Sequence, residues 1–416
     1  MSAAPATVAA SGGWRTPGLI IAAGLLLSFI AFGIRSGTGL FLTPISQELG
    51  WGREVFALSV ALQMLIWGAC VPLAGAIADK FGSARVLATG AVFYGAGFAL
   101  MAYSSEPWHM HLTAGALVGI GLAGTSFTIV IAVLARMVRP ERRSVVVGLC
   151  SAFTSLGQFV ILPLGQGFIT AYGWHTAAIL LGAIALGMLP FAFVVRANGR
   201  PPAGVVDQKL TAALGEAFGH RSYMLTVIGF FVCGFQLFFI VNHLPSYLSD
   251  RGLPPWVASW TLAMVGLANV AGAILAGVIG ARWPYHKRVW LAGIYVTRSV
   301  ATVAFILLPL APANAMIYGA VMGLLWLSTV PLTQGLVAQF FGLRWLATLF
   351  GIAFFSHQVG GFLGVWLGGL LFDLYKSYDI VWWLNIALGV FAAAVHMPIR
   401  EAPSPRLAAA AAAGAR

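Results

Sequence analysis

Apolar residues recur along this chain in runs of about twenty, the length at which an α-helix crosses roughly 30 Å of hydrocarbon. The runs occupy residues 18–42, 54–78, 86–105, 110–135, 144–170, 174–195, 223–248, 256–281, 289–310, 314–340, 346–372 and 380–398. This pattern predicts an all-α integral membrane protein with twelve transmembrane helices. A polar stretch from Arg196 to Arg221, carrying Pro201, Pro202 and Asp207, divides them into two six-helix halves. The organisation expected is an N-terminal segment 1–17, a first half 18–195, a central loop 196–222, a second half 223–398 and a tail 399–416. Pro403, Pro405 and the alanine run to Ala413 read as a disordered tail. Residues 1–17 lack the apolar core of a signal peptide, and the run that follows is too long for one, so it is expected to remain as a helix.

Composition agrees with the runs. Hydrophobic residues make up 60% of the 416 and charged residues only 8%, which excludes a soluble domain of this size. The formal charge of +12 raises the question of nucleic acid, and the positions of the charges answer it. With the amino terminus in the cytoplasm, eighteen Lys and Arg fall in cytoplasmic segments, and only Arg53, Arg251 and Lys376 fall on the other side. The positive-inside rule then places both termini in the cytoplasm of a cytoplasmic-membrane protein. The basic balance is thus a signature of topology, and no nucleic-acid partner is implied. Cys70, Cys150 and Cys233 all lie in apolar runs and are expected to pack as small hydrophobes, without a disulfide or metal site.

Two of the remaining basic residues sit inside apolar runs, where a charge is costly and usually lines a cavity or meets a partner. Arg35 lies about 25 Å along the first helix at 1.5 Å per residue. Ser28, Ala31, Thr38 and Gly39 share its face, with Phe32 beside them. Arg298 lies near the middle of the ninth run, after Tyr295, where it either reaches the cavity or bonds backbone carbonyls or Asn269. No Asp or Glu lies deep in any run, so the expected partner of Arg35 is a small organic anion, whose carboxylate fits the planar guanidinium fork.

The other candidates are polar groups on facing helices. His243, beside Pro245 in the seventh helix, and His357, followed by Gln358 in the eleventh, are the groups available to carry a proton. Gly361, Gly364 and Gly368 share the face of His357. Ser151, Ser155 and Gln158 line one face of the fifth helix. Phe230, Phe231, Phe235, Phe238 and Phe239 read as core or lipid-facing residues, some of which can wall an organic ligand.

A weak internal repeat supports the division into halves. Gly75-Ala76-Ile77-Ala78-Asp79-Lys80-Phe81 follows the second helix, and Gly277-Val278-Ile279-Gly280-Ala281-Arg282-Trp283 follows the eighth. Such parallel repeats enclose a central site and rock about it. The first of these loops, continued through Gly82-Ser83-Ala84-Arg85, resembles the hallmark loop of the major facilitator superfamily, and with the six-plus-six layout it implies the major facilitator fold over the whole chain. The resemblance implies a conformational latch formed by Gly75, Asp79, Lys80, Gly82, Arg85 and Arg136. Physically, Gly75 permits a close helix contact, and Asp79 is placed to bond a neighbouring helix end or Arg136.

A narrower resemblance is to the monocarboxylate transporter family and its oxalate–formate exchanger relatives. It rests on Arg142-Arg143 with Gly148-Leu149, Ala152, Gly157, Pro163-Leu164, Gln166 and Gly173-Trp174. Lys80-Phe81-Gly82-Ser83, Gly12-Gly13-Trp14 and Arg35-Ser36-Gly37-Thr38-Gly39-Leu40-Phe41 are also similar, the last aligning with a first-helix segment where members carry a substrate-facing lysine. The resemblance implies transport of small monocarboxylates or related organic anions, often with a proton. The chain departs from the family in its eighth helix, where Asn269 and Ala273 stand in place of the usual aspartate and arginine.

The function expected is therefore secondary active transport of a small organic anion by alternating access. An exporter of hydrophobic compounds and a non-transporting membrane sensor are the alternatives. No phosphate-binding loop, nucleophile–base pair or metal-ligand cluster is legible, so neither an enzyme nor a cofactor or metal is expected, and a monomer in the lipid bilayer suffices.

Overall fold

The computed structural model describes residues 16–137, 143–196, 209–283, 285–342 and 344–408, and among them all regular structure is helical. Among the described residues, eleven helical stretches are long and apolar enough to cross a bilayer. One of them, Gly148–Val194, is 47 residues long and accounts for two crossings. At Gly173 its backbone swings to φ 77°, a conformation that glycine adopts without a side-chain penalty, and the helix kinks there. The twelve expected crossings are present.

The crossings are numbered here in chain order. In the first half they are α1 (Pro17–Ser36), α2 (Arg53–Phe81), α3 (Ser83–Met101), α4 (Pro107–Leu134), α5 (143–172) and α6 (174–194). In the second they are α7 (Arg221–Asp250), α8 (Pro255–Arg282), α9 (Lys287–Leu307), α10 (Pro312–Phe341), α11 (Leu346–Tyr375) and α12 (Asp379–His396). Several begin where the sequence puts proline at the first helical position (Pro17, Pro107, Pro255 and Pro312), where its missing N–H costs no hydrogen bond. The end of the bundle holding Pro17 and His396 is called the terminal end below, and the opposite one the far end.

Each half has its own buried apolar core. The halves meet along the turn Thr38–Phe41 that follows α1, which packs on α7, and along two helix pairs, α2 with α11 and α5 with α8. The two helix pairs are equivalent under the six-helix repeat, and their contact chemistry repeats as well. Gly68 of α2 lets Gln358 of α11 approach, and Gly266 of α8 lets Gln158 of α5 approach. A Cβ at either glycine would lie about 3 Å from side-chain carbons of the facing glutamine, so even alanine would push the halves apart locally.

Besides a short interruption of α6 at Gly187 and Met188, two described crossings are broken at equivalent places in the repeat. In α4 a π-helical turn (His111–Leu117) is followed by an interruption at Thr125 and Ser126 before the helix resumes at Phe127. In α10 the first segment ends at Leu325 and the second begins at Thr329. Breaks in corresponding helices of the two halves are a structural pointer to a transport site, since they free backbone groups at membrane depth.

Three expectations about chain organisation need correction. The central loop contains a helix, Leu210–Gly219, which the apolar-run criterion missed because it is short. The tail is packed as far as Ala408: Ser404 donates its N–H to the Phe340 carbonyl, and Arg406 pairs with Glu216 at 3.0 Å. Gly75 was expected to admit a close helix neighbour, yet a Cβ there would meet nothing within 4 Å.

Candidate functional site

The guanidinium of Arg35 lies in the last turn of α1, where the helix's C-terminal carbonyls favour a cation. It is 8% exposed and enclosed by aromatic rings: Phe32 from α1 at 5.0 Å, Trp67 from α2 at 4.7 Å and Phe238 from α7 at 4.6 Å. Cation–π attraction of this kind stabilises a desolvated guanidinium by about 2 kcal/mol per favourable ring, and it leaves the N–H groups free. The Nε of Arg35 is buried without a hydrogen-bond partner among the described residues. So are the indole Nε1 of Trp67 and the amide Nε2 of Gln358. All three are donors.

His357 joins the same group of side chains. The Phe238 ring that faces Arg35 also lies 5.5 Å from His357, edge to face, and Phe354 bridges Trp67 (5.5 Å) to His357 (6.0 Å). Nδ1 of His357 is 3.1 Å from the Gln358 amide oxygen, which orients that amide so that its nitrogen remains unpaired. Arg35, His357 and Gln358 are thus brought together from both halves, with aromatic walls. Trp67 lies fourteen residues from either end of α2, far from the interfaces where tryptophan usually collects. That depth is the sequence signal that would have found it.

Ser155, Gln158 and Asn269 form a second group at the α5–α8 junction. Asn269 Nδ2 donates to the Ser155 hydroxyl at 2.8 Å, and Gln158 Nε2 donates to the Leu262 carbonyl at 2.9 Å. Asn269 has a further partner: its Oδ1 accepts the N–H of Leu327 at 2.9 Å, inside the break of α10. Asn269 therefore ties the first half to an unwound segment of the second.

Arg298 approaches the same break from α9. It is wholly buried and donates to the carbonyls of Leu325 and Trp326, the latter at 2.6 Å, with the Cys233 sulfur 3.4 Å away. Cys233 in turn meets the Thr329 hydroxyl at 3.3 Å. The expectation of a substrate contact at Arg298 is corrected accordingly: the arginine satisfies carbonyls that α10 leaves free, which is the structural role open to it from the sequence. Cys233 likewise has polar neighbours, which its apolar run did not indicate.

His243 is also corrected. Its Nε2 lies 2.8 Å from the Val365 carbonyl of α11 and its Nδ1 3.2 Å from the Tyr378 hydroxyl, and the ring stacks on Phe239. Both nitrogens are engaged within the second half, and the residue has no exposure. His243→Phe should cost about 1–3 kcal/mol of stability through the partners left unpaired and leave ligand affinity unchanged. Thermal melting and ligand titration of the variant check the two parts separately.

The far end is closed by groups that sequence reasoning left in the loops. Arg53, at the start of α2, forms a two-pronged pair with Asp250 of α7 at 2.6 and 2.7 Å. It also donates to Tyr378 at 2.9 Å and lies 3.8 Å over the Phe372 ring. Asp373 of α11 accepts the backbone N–H groups of Arg53 and Glu54 at 3.0 and 2.8 Å, capping the first turn of α2. Thr38–Asn242 (3.1 Å), Thr43–Ser246 (2.8 Å) and Trp366–Glu54 (3.0 Å) complete the seam. All these bonds join one half to the other.

At the terminal end the hallmark loop is a tight turn between α2 and α3, with Gly82 at φ 93°. Lys80 and Arg85 are exposed, and Lys80 lies 5.2 Å over the Phe81 ring. The side chains of Asp79 and Arg136, on which the expected latch contact depends, lie outside the described residues.

Residues 24–365 match the family model of the Major Facilitator Superfamily. Monocarboxylate transporter 11 of Homo sapiens is 26% identical over 377 residues, covering 87% of this chain and 78% of that protein. An uncharacterized MFS-type transporter, YcxA, of Bacillus subtilis (strain 168) is 23% identical over 374 residues, covering 86% and 90%. Among solved structures, a bacterial homolog of the human lysosomal transporter Spinster, in an inward-facing and unoccupied conformation, superposes with a TM-score of 0.72 at 13% identity, over 94% of this chain and 99% of that one. A D-xylose–proton symporter gives 0.68 at 16% identity, over 92% and 97%. At these identities the solved structures speak to fold alone.

Proposed function

Because the chain belongs to the Major Facilitator Superfamily and is a multi-pass membrane transporter, not an enzyme, we propose that its cargo is a small organic anion of the monocarboxylate kind, carried across the cytoplasmic membrane by alternating access. The observation that carries this reading is the buried, ring-enclosed guanidinium of Arg35, with unpaired donors on Arg35, Trp67 and Gln358. Donors without acceptors at membrane depth suit a ligand that brings negative charge and accepting oxygens. The names of the monocarboxylate transporter relatives support the same class.

In this mechanism Arg35 holds the carboxylate, the Trp67 indole and Gln358 amide donate to its oxygens, and Phe238 and Phe354 wall the apolar body. His357 is the group placed to take up a proton with the substrate. Ser155, Gln158 and Asn269 join the moving halves at the α5–α8 seam, so they transmit the rearrangement. The far-end seam holds the present state, and its release, with closure at the terminal end, exposes Arg35 to the other side. Asp79→Asn should slow transport without weakening binding, by loosening the latch at the terminal end. Parallel uptake and binding assays test this, and equal loss of both would remove the latch role.

The deciding experiment is thermal stabilisation of the purified protein by organic anions and cations of graded size. An anion at a hundred times its dissociation constant should stabilise the folded state by about 2.7 kcal/mol. The aromatic walls favour one competing reading, export of hydrophobic compounds. Stabilisation by apolar cations, with no response to carboxylates, would put that reading in first place.

A further inference from the structure

A groove of about 560 Å³ opens at the terminal end, between the start of α7 and the segment that follows α12. His220, Arg221 and Ser222 form one wall, and Pro398, Arg400 and Pro403 the other. Ser222 accepts the backbone N–H of Arg400 at 3.0 Å, which fixes the two walls relative to each other. Both arginines are exposed, and neither guanidinium has a carboxylate partner among the described residues. The nearby acids are engaged elsewhere: Glu216 pairs with Arg406, and Glu401 accepts the backbone N–H of Arg288. Burial lowers the His220 imidazole below its ordinary range, so at neutral pH the ring is uncharged. Its Nδ1 accepts the Tyr223 N–H and caps α7. The groove is therefore positive through Arg221 and Arg400.

Its position decides what kind of anion it suits. Arg221 is the first residue of α7 and His396 the last of α12, so the groove lies where the membrane-crossing helices meet water. The adjoining surface of α12 and its end is apolar and exposed at Val390 (56%), Phe391 (49%) and Met397 (50%), with Phe218 (54%) on the neighbouring short helix. A cationic groove where two membrane-crossing helices end, with exposed apolar residues on the α12 surface that faces lipid, suits a phospholipid in both of its parts.

We propose that this groove binds the phosphate of an anionic phospholipid, with Arg221 and Arg400 holding the headgroup and the strip on α12 receiving the chains. Clamping the first residues of α7 to the segment after α12, the lipid would hold together the ends of two helices that frame the second half.

The test is native mass spectrometry of the full-length protein titrated with phosphatidylglycerol or phosphatidylcholine. The variants are Arg221→Gln and Arg400→Gln, singly and together, with Lys209→Gln as the control, an exposed lysine of the same end outside the groove. Each groove arginine should contribute about fivefold to retention of the anionic lipid. Wild type and Lys209→Gln should then prefer phosphatidylglycerol strongly, and the double variant should bind the two lipids alike. Melting in detergent without lipid verifies that each variant is folded, and the single variants serve if the double one is not. Undiminished preference in the folded double variant, or equal loss in Lys209→Gln, would overturn the proposal. A third arm adds inorganic phosphate: displacement of phosphatidylglycerol at millimolar phosphate would assign the groove to a free anion and overturn the lipid assignment.

Discussion

Replacing Arg35 with glutamine is expected to abolish organic-anion binding while the protein still expresses and melts close to wild type. The guanidinium contributes no hydrogen bond to the described fold and is held by three rings, so glutamine removes a charge without orphaning a structural partner. The carboxylate of the proposed ligand, by contrast, would lose its guanidinium partner in a desolvated site. Truncating one side of such a pair costs about 2–5 kcal/mol, or roughly thirtyfold to several-thousand-fold in affinity. Arg35→Lys should fall between the two, since it keeps the charge but loses the planar fork. Calorimetric titration of wild type and both variants with the stabilising anion measures this directly. Wild-type affinity in Arg35→Gln would sink the assignment of the site.

The second large effect is expected at the far end. Asp250→Asn preserves the shape of the pair with Arg53 but removes its charge, and Arg53→Ala also removes the Tyr378 bond and the packing on Phe372. The Arg53 side chain is 11% exposed and that of Asp250 is 32% exposed. The pair is therefore partly screened, and the loss should be smaller than the 3–5 kcal/mol seen on breaking fully buried pairs. About 2 kcal/mol, which shifts a two-state equilibrium roughly thirtyfold, is a reasonable expectation. The shift should favour the state open at the far end, because these bonds exist only while that end is closed. A cysteine placed at Ser246, inside the seam, should react with a bulky maleimide correspondingly faster in either variant. Equal labelling rates in wild type and variants would mean that the seam is held by other contacts.

The helices were legible because a bilayer demands a long uninterrupted apolar run from each one, and twelve such runs stand in the sequence. The depth of Arg35 was legible for the same reason: a charge inside such a run is conspicuous. The rest depends on relations that no single run contains. Arg53 reads as a loop charge, since its partners Asp250 and Asp373 lie 197 and 320 residues away. His243 and His357 look alike as intramembrane histidines, and they differ in their neighbours: His243 meets Val365 and Tyr378 within the second half, whereas His357 lies against the Phe238 and Phe354 rings that also face Arg35 and Trp67. Arg298 and Asn269 were visible as polar residues, but their shared target, the break in α10, was hidden within an apolar run. Pro331, just beyond it, was the local mark of the interruption.

That break has a consequence for how the chain enters the membrane. Arg298 sits at the centre of α9, where an arginine raises the cost of insertion by about 2.5–3.5 kcal/mol. The carbonyls that satisfy it belong to α10, with Leu325 27 residues later in the sequence. At ribosomal speeds of about 5–20 residues per second, the partner arrives roughly 1–5 s after the arginine. A ninth helix released alone into lipid would have to wait that long with its charge unmet, so α9 and α10 are expected to leave the translocon together as a hairpin. Truncation of nascent chains between the two helices should leave α9 poorly integrated, and extension past residue 341 should rescue it.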